Sequence, residues 1–599
     1  MITTAVFLGL LVSGNTHRGQ QRMFGTSGRT IGGRATRSST AFFCQRPRCH
    51  RGIYPAAWGK VTPPSGRNYR LQGCRHLCLA APRPSEEWGK ENGAGAAAKR
   101  FGQEIAQVLR TKGTRLILHF DLNKTLIMVD PAGRKTQAQV LNSVLAEICW
   151  GHVEHSGAKE TSVWTWKGSF SSPIRKAPPS TEPPLKRTPS GSRGLQQQNH
   201  QETTPVALVS YSDFLHQEFG DAEGKDNRRM KDIRDERKGC FTEDGQPGVG
   251  LRAEYLKLEK ALALPEAVAK SPLAKGAGLA GRESLYILPS FFQCLLALKE
   301  ANADFGLVFR TFGDDIAEVS REYNAFCEGK HPLFPGANMD GSDGRGDYRV
   351  HLPDQAEGGH GHNTVGAFFR DEEGLALVMG TLDNPQERHQ LRSIESKGHP
   401  VYRSVADAHD AICEGVLSAP LPPAGSVAPK PAATTTTTAA PPPSCGESTN
   451  GIAGSGERTN HGRCLALRDF YPFWRKNLES AEAGKVLPVD LSESPKVWPV
   501  MFDDNIGHWR PDGSGSGAHI VDVRDMATGR PVPFDTALQR HIVRAEPFLA
   551  IDQDDVVAVG AAAADASDHN FFLVQILKRL APERAGLYTS AFDGFSSKL

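Results

Sequence analysis

The chain has 599 residues, of which 39% are hydrophobic, with 61 glycines, 40 prolines and a formal net charge of +3. This length and composition exclude one densely packed unit and favour folded segments separated by disordered insertions. The near-neutral charge gives no reason to expect nucleic acid as a partner, and 11 scattered cysteines do not indicate a secreted disulfide scaffold.

Residues 1–85 are predicted to be a basic presequence or a disordered tail. No Asp or Glu precedes Glu86, whereas arginines recur throughout. The apolar run Ala5–Val12 is too short to cross a bilayer, which needs about 20 residues. An arginine-rich, acid-free segment after a short apolar start suits an organellar transit peptide, so a plastid or mitochondrial location is expected, with the cytoplasm as the alternative. No other stretch reaches transmembrane length, and no membrane span is expected.

The first folded segment is predicted over residues 99–150. It combines a helix at 99–112, an apolar strand that runs from Thr114 into Asp121, and a helix at 136–149. Residues 155–250 are predicted to be a mostly disordered insertion, because residues 155–205 are polar and rich in Pro and Ser. Residues 225–238 are mostly charged and are predicted to be a solvated helix or loop.

A second folded segment is predicted over residues 283–330. A helix that begins at Pro289 is followed by a short loop and an apolar strand ending at Thr311, the αβ unit of a parallel sheet. Residues 331–415 form a second insertion, in which a β-hairpin is expected at 367–380.

Residues 418–460 are a low-complexity linker rich in Pro, Ala and Thr. The last folded segment is predicted over 465–599. Its main strand, Val497–Phe502, runs directly into Asp503 and Asp504.

Polar residues therefore follow three apolar strands, at Asp121, Thr311 and the Asp503–Asp504 pair. Each alone is most often a helix cap or a turn. Because ligands of open α/β sheets bind beyond the carboxyl ends of the strands, their joint occurrence predicts one shared crevice.

Four separated stretches carry a resemblance to a known superfamily: Asp121-Leu-Asn123-Lys-Thr125, Leu307–Thr311, Ala483-Gly-Lys485 and Val500–Asp504. In this order they resemble the motifs of the haloacid dehalogenase-like hydrolases, and look closest to uncharacterised members from protists and algae. The resemblance implies an α/β fold with a three-layer Rossmannoid parallel sheet and two low-complexity-rich insertions at the places where caps sit. Because both insertions contain much low complexity, any ordered cap is expected to be small.

The resemblance implies a Mg²⁺-dependent phosphohydrolase or phosphotransferase. Asp121 would be the nucleophile that forms an aspartyl-phosphate. Mg²⁺ would be held by the Asp121 carboxylate, the Asn123 main-chain carbonyl, Asp503 and Asp504.

Thr311 and Lys485 would hold the oxygens of the transferring phosphoryl group. Lys496 is a competing candidate for the Lys role, although it lies very close to the following strand. Arg310 and Arg370 are further candidates for contact with the substrate, which would be a phosphorylated small molecule or a phosphoprotein.

Asn123 departs from the superfamily pattern, which places an Asp there as general acid and base. An amide cannot transfer a proton at neutral pH. General acid–base catalysis contributes about 10²–10⁴-fold, so slow hydrolysis is expected. The alternative is a catalytically weak pseudoenzyme that binds a phosphorylated ligand or a protein.

Overall fold

A computed structural model describes residues 94–131, 133–156, 161–170, 208–220, 225–353, 364–417, 462–477, 479–507, 520–551 and 570–583. The predicted presequence over residues 1–85 and the linker over 418–460 lie outside these residues. None of the helices in the described ranges is long and apolar enough to cross a membrane.

The chain has an α/β fold built on an eight-stranded, mostly parallel sheet. Its strands are β1 (Arg115–Asp121), β5 (Phe305–Thr311), β6 (Val365–Asp371), β7 (Gly374–Met379), β8 (Val401–Tyr402), β9 (Cys464–Arg468), β11 (Val497–Asp503) and β13 (Ile542–Arg544). Their order across the sheet is β13-β11-β1-β5-β9-β6-β7-β8. The strands from β13 to β6 pair in parallel, and β6, β7 and β8 pair antiparallel.

Two smaller sheets accompany the central one. An antiparallel sheet contains β2 (Cys149–Ser156), β3 (Thr161–Phe170) and β4 (Val209–Ser210) in the order β3-β2-β4. Strands β10 (Lys485–Val489) and β12 (Val521–Asp525) form a separate parallel pair.

Fifteen α-helices lie in the described ranges: α1 (Ala94–Lys112), α2 (Gln137–Ile148), α3 (Tyr211–Glu218), α4 (Lys225–Gly239), α5 (Arg252–Ala261), α6 (Glu266–Ala269), α7 (Pro272–Gly276), α8 (Pro289–Glu300), α9 (Ile316–Cys327), α10 (Gln390–Ser396), α11 (Val405–Leu417), α12 (Tyr471–Lys476), α13 (Phe534–Arg540), α14 (Pro547–Ile551) and α15 (Phe571–Leu580). Short 3₁₀ helices lie at Val249–Leu251 and Ala481–Ala483.

Alternate residues of β1 face two hydrophobic clusters, as the two-residue period of a strand requires. Leu116, Leu118 and Phe120 belong to a large cluster that includes apolar residues of α1, α8 and α15. Ile117 belongs to a second cluster with residues of α11. Burial on both faces explains why the sequence of this strand is almost continuously apolar.

The predicted core strands and helices are confirmed at close to their expected bounds. Helix α8 begins at Pro289, as predicted, and ends at Glu300. Strand β11 likewise follows the predicted Val497–Phe502 run and includes Asp503.

The expectation of a mostly disordered insertion over residues 155–250 is wrong for its described part. Strands β3 and β4 and helix α3 lie there, whereas α4 agrees with the solvated helix or loop expected over 225–238. Aromatic residues that are distant in sequence hold these elements together: the Trp164 ring lies 5.1 Å from Tyr211 and 5.8 Å from Phe241. Packing between remote aromatics offsets the ordering entropy that a polar composition alone does not.

The predicted hairpin at 367–380 exists, as β6 and β7, but it does not form a separate cap. Strand β6 pairs in parallel with β9, so that Val365 lies opposite Ala466. The hairpin therefore extends the central sheet. Helix α11 packs beside it in the cluster that also covers β1 and β5.

Candidate active site

The carboxyl ends of β11, β1 and β5 meet at one edge of the central sheet. Phe120 lies opposite Phe502, and Asp121 lies opposite Arg310. The next residues along β11 and β5 are Asp503 and Thr311. The parallel register thus brings the ends of all three predicted motifs to the same edge.

Three carboxylates converge at this edge. Asp121, Asp503 and Asp504 are buried and each offers one oxygen, and these oxygens lie within 4.8 Å of one another. Oxygen donors in such a group suit a hard divalent cation such as Mg²⁺. No described contact tests the predicted contribution of the Asn123 main-chain carbonyl.

Lys485 lies between two of these carboxylates. Its ammonium donates hydrogen bonds to Asp121 Oδ1 and, at 2.9 Å, to Asp503 Oδ2. Lys485 is almost fully buried, at 2% exposure. Lys496, the competing candidate, lies at the opposite end of the sheet, where its carbonyl accepts from the amide of Arg115 at the start of β1. Of these two candidates, Lys485 is the one that contacts the carboxylates.

Burial and the neighbouring charges shift the pKa values of Asp121, Asp504 and Lys485. Burial raises the pKa of Asp121 well above its usual range, against the lowering effect of Lys485, and the charges of Asp503 and Asp504 add to the rise. Burial, together with Asp503, also raises the pKa of Asp504 to about 6. The pKa of Lys485 is raised because the neighbouring acids outweigh the effect of its burial. The three acidic side chains thus outnumber the one buried ammonium of Lys485 that lies between them. Such an excess of acidic groups is what a cation-binding centre requires.

The loop after β1 brings a second cation to the group. Lys124 adopts φ +60°, in the left-handed region that non-glycine residues rarely occupy. Its ammonium lies 3.5 Å from Asp504 Oδ2 and 3.8 Å from Glu147 Oε1 at the end of α2. Sequence reasoning did not single out this lysine, although it sits inside the first motif. It links the carboxylate group to α2.

Thr311 is the last residue of β5, and Asn123 lies on the loop after β1. The Thr311 hydroxyl accepts from the amide of Gly313 at 2.9 Å. The Asn123 amide donates to Asp315 Oδ2 at 3.2 Å. Thr125, the last residue of the first motif, donates to Asp121 Oδ2 at 3.4 Å. No sequence pattern singles out Asp315, because it is the second of two adjacent acids, Asp314 and Asp315, that follow β5.

Arg310 and Arg370 are buried and hold the segment that carries Lys485. Arg310 is paired with Asp469 and donates to the carbonyl of Val486 at 3.0 Å. Arg370 donates to the carbonyl of Gly484 at 2.8 Å. Their contacts fix β10 from both sides of Lys485, so the interpretation of these arginines as substrate contacts has no support in the geometry.

Gly484 allows β10 to approach β12 closely enough to place Lys485. A Cβ at this position would lie 2.1 Å from the carbonyl oxygen of Ile520. Gly484→Ala should therefore lower the free energy of unfolding by about 1–3 kcal/mol, the usual cost of overpacking. Because Lys485 would move with the strand, any turnover should fall at least about tenfold.

Chemical denaturation and a phosphatase assay check this expectation. Gly276→Ala is the matched control, since a Cβ there would meet no atom within 4 Å. A Gly484→Ala variant as stable as the control would contradict the proposed close approach.

No family model, curated protein or solved structure matches this chain in the comparisons with known proteins.

Proposed function

We propose that the chain is a Mg²⁺-dependent phosphohydrolase or phosphotransferase that works through an aspartyl-phosphate on Asp121. The observation that carries this proposal is the contact of Lys485 with both Asp121 and Asp503 beside a third carboxylate, Asp504. On this proposal three separate stretches, around Asp121, Lys485 and Asp503, supply a nucleophile, a cation and a metal-ligand set to one crevice.

Membership of the haloacid dehalogenase-like superfamily, with a three-layer Rossmannoid core, is part of this proposal. Its support is the strand order β13-β11-β1-β5-β9, which sets the two Asp-bearing strands side by side and the Thr-bearing strand next to them. The two hydrophobic clusters on opposite sides of β1 agree with helical layers on both faces.

In the first step, Asp121 attacks the phosphorus of a phosphomonoester. The bond from its carboxylate oxygen to phosphorus forms while the bond from phosphorus to the leaving oxygen breaks. Thr125 orients the carboxylate through its hydrogen bond to Oδ2. Mg²⁺ held by Asp121, Asp503 and Asp504 would supply further positive charge to the phosphoryl group.

Lys485 performs two tasks in this mechanism. Its charge lowers the pKa of Asp121, against the burial and the acidic neighbours that favour the protonated carboxyl. Its ammonium also lies where the phosphoryl oxygens of a bound substrate would gather, together with the Thr311 hydroxyl.

Asn123 makes phosphate release the slow part of this scheme. It has no proton to give to the leaving oxygen and cannot accept one from water. Leaving groups of low basicity, which depart without a proton, should therefore be preferred. The proposed substrate, a phosphorylated small molecule or a phosphoprotein, should transfer its phosphoryl group to Asp121 faster than phosphate is released from it.

Removal of divalent metal should abolish turnover. We expect the full chain to release p-nitrophenolate from p-nitrophenyl phosphate with Mg²⁺, and to slow at least about 10²-fold in excess EDTA. Restoring Mg²⁺ should restore the rate, and Asp503→Asn should raise the Mg²⁺ concentration that is needed. An equal rate in EDTA would contradict a metal-assisted reaction.

The second candidate is a binding module, which Asn123 favours. On this alternative the crevice captures a phosphorylated ligand or protein without turning it over. Absence of turnover, with beryllofluoride and Mg²⁺ still raising the melting temperature, would select this alternative over the hydrolase.

A further inference from the structure

The Asn123 side chain carries a buried acceptor that the described part of the chain leaves unsatisfied. Its oxygen, Oδ1, is shielded from solvent and has no hydrogen-bond partner among the described residues. Burying an unpaired acceptor is costly, and one that is retained in a native site calls for an explanation. The partner that would satisfy Oδ1 is a hydrogen-bond donor.

Asp315 determines which way this amide faces. The Nδ2 group of Asn123 donates to Asp315 Oδ2 at 3.2 Å. A carboxylate oxygen only accepts, so the opposite amide orientation would set two acceptors against each other. The hydrogen bond therefore turns Oδ1 away from Asp315.

The Asp315 side chain accepts a hydrogen bond from Asn123 and does not cap its own helix, α9. Asp315 is the N-cap residue of α9, a position where Asp usually accepts from the first turn, yet its side chain makes no such bond. It is nearly buried, at 6% exposure. A Cβ on Gly313 would lie 2.6 Å from Asp315 Oδ2 and 3.5 Å from the Thr311 hydroxyl. The missing side chain at Gly313 thus lets Asp315 sit beside the candidate phosphoryl-binding hydroxyl.

We propose that Asp315 is a positioning residue for Asn123, and that Asn123 Oδ1 accepts a hydrogen bond from the water that hydrolyses phosphorylated Asp121. This inference rests on the proposed function. The water oxygen forms the new bond to phosphorus, and the bond from phosphorus to the Asp121 oxygen breaks and leaves the carboxylate. The water proton passes to a phosphoryl oxygen, so the product leaves as dihydrogen phosphate. Asn123 thus orients the water without taking its proton, and Asp315 holds Asn123 in the only useful orientation.

The pair acts on release of phosphate and not on its capture. Rapid mixing of the full chain with p-nitrophenyl phosphate and Mg²⁺ separates the two steps, as an initial burst of p-nitrophenolate and a later steady rate. In Asp315→Asn we expect the burst rate to stay within about threefold of wild type. The steady rate should fall about 10- to 100-fold, and acid quenching should trap more hydroxylamine-sensitive phosphoenzyme.

A swap of the two side chains separates positioning from a merely structural role. The double variant Asn123→Asp/Asp315→Asn keeps a hydrogen bond between the positions, with donor and acceptor exchanged, and should restore the steady rate at least to the wild-type level. It also keeps the test decisive if Asp315→Asn alone does not fold. The control is Asp314→Asn, a neighbouring acid whose side chain is 85% exposed, which should leave both phases unchanged.

The outcomes separate failure of the pair from failure of the proposed function. A wild-type burst together with an unchanged steady rate in Asp315→Asn would overturn the positioning role alone. A swap variant as slow as Asp315→Asn would do the same. A wild type that shows no p-nitrophenolate burst, with an amplitude of up to one equivalent of enzyme, would contradict the proposed aspartyl-phosphate. The proposed role of the Asn123–Asp315 pair would then fail with it.

Discussion

Asp121→Asn should abolish the burst and the steady release of p-nitrophenolate while the chain stays folded. The amide oxygen that replaces the carboxylate is not a nucleophile toward phosphorus. The neutral amide also no longer offsets the positive charge of Lys485 or of a bound metal. Loss of a covalent nucleophile commonly lowers turnover by roughly 10⁴–10⁶-fold. The phosphatase assay with Mg²⁺ measures this directly.

The same variant should be at least as stable as the wild type in EDTA at neutral pH. The pKa of Asp121 is raised in the folded chain, chiefly by burial. A raised carboxyl pKa means that folding is favoured most below the unfolded pKa, and that this contribution is lost as pH rises through the folded pKa. Asn removes the ionisation, so thermal unfolding at pH 7 should show no loss of stability.

Asp244→Asn, a change at an exposed acid in the first insertion, is the control for Asp121→Asn. It should leave both turnover and melting temperature unchanged. An Asp121→Asn variant that keeps more than about a tenth of wild-type turnover would rule out the covalent route, since no other group could take the nucleophile's part so completely.

The edge where these residues meet could be predicted because its signals are local. Strands β1, β5 and β11 are buried on both faces, so each reads as an apolar run, and a polar residue at its end stands out. Asp121, Thr311 and Asp503 were identified in this way. The order of the strands then needed only the general rule that parallel strands present their carboxyl ends together.

The roles of Lys485 and Asp315 could not be predicted from the sequence immediately around them. Lys485 was selected by the superfamily resemblance, since nothing in its neighbours distinguishes it from a surface lysine. Its burial depends on β10 pairing with β12, on Gly484 and on Arg310, which are remote from one another in sequence. The role of Asp315 depends on Asn123, 192 residues away, and no periodicity joins the two.

The first insertion was misjudged for a related reason. Its composition is polar, and polar segments rarely bury enough surface to offset the entropy of ordering. The described strands and helices are ordered by a few large contacts, such as the stacking of Tyr211 on Phe241 with ring centroids 4.7 Å apart. The buried side-chain oxygen of Asn142, Oδ1, accepts a hydrogen bond from the main-chain amide of Thr242 at 2.8 Å and so links two positions 100 residues apart. Average composition hides such pairs.

Lys485→Met should impair both stability and turnover, and the two effects should respond differently to Mg²⁺. Removing the ammonium leaves the Asp121 and Asp503 carboxylates buried without the cation that now contacts both. Breaking a buried ion pair on one side typically costs about 3–5 kcal/mol. We expect a loss of that order in the free energy of unfolding in EDTA, measured by urea denaturation. Mg²⁺ should recover part of it, because the metal supplies positive charge to the same carboxylates.

Turnover should not recover with the metal. Loss of a preorganised donor to the developing charge typically lowers turnover about 10²–10³-fold, and saturating Mg²⁺ cannot restore a hydrogen bond that only the Lys485 ammonium makes. Lys496→Met is the matched control, because this exposed lysine precedes the same strand, β11, at the far end of the sheet. It should change stability by less than about 0.5 kcal/mol and leave turnover intact. Equal effects of Lys485→Met and Lys496→Met would mean that Lys485 contributes no more than an exposed lysine does. That result would contradict the proposed role of the Lys485 ammonium in the reaction.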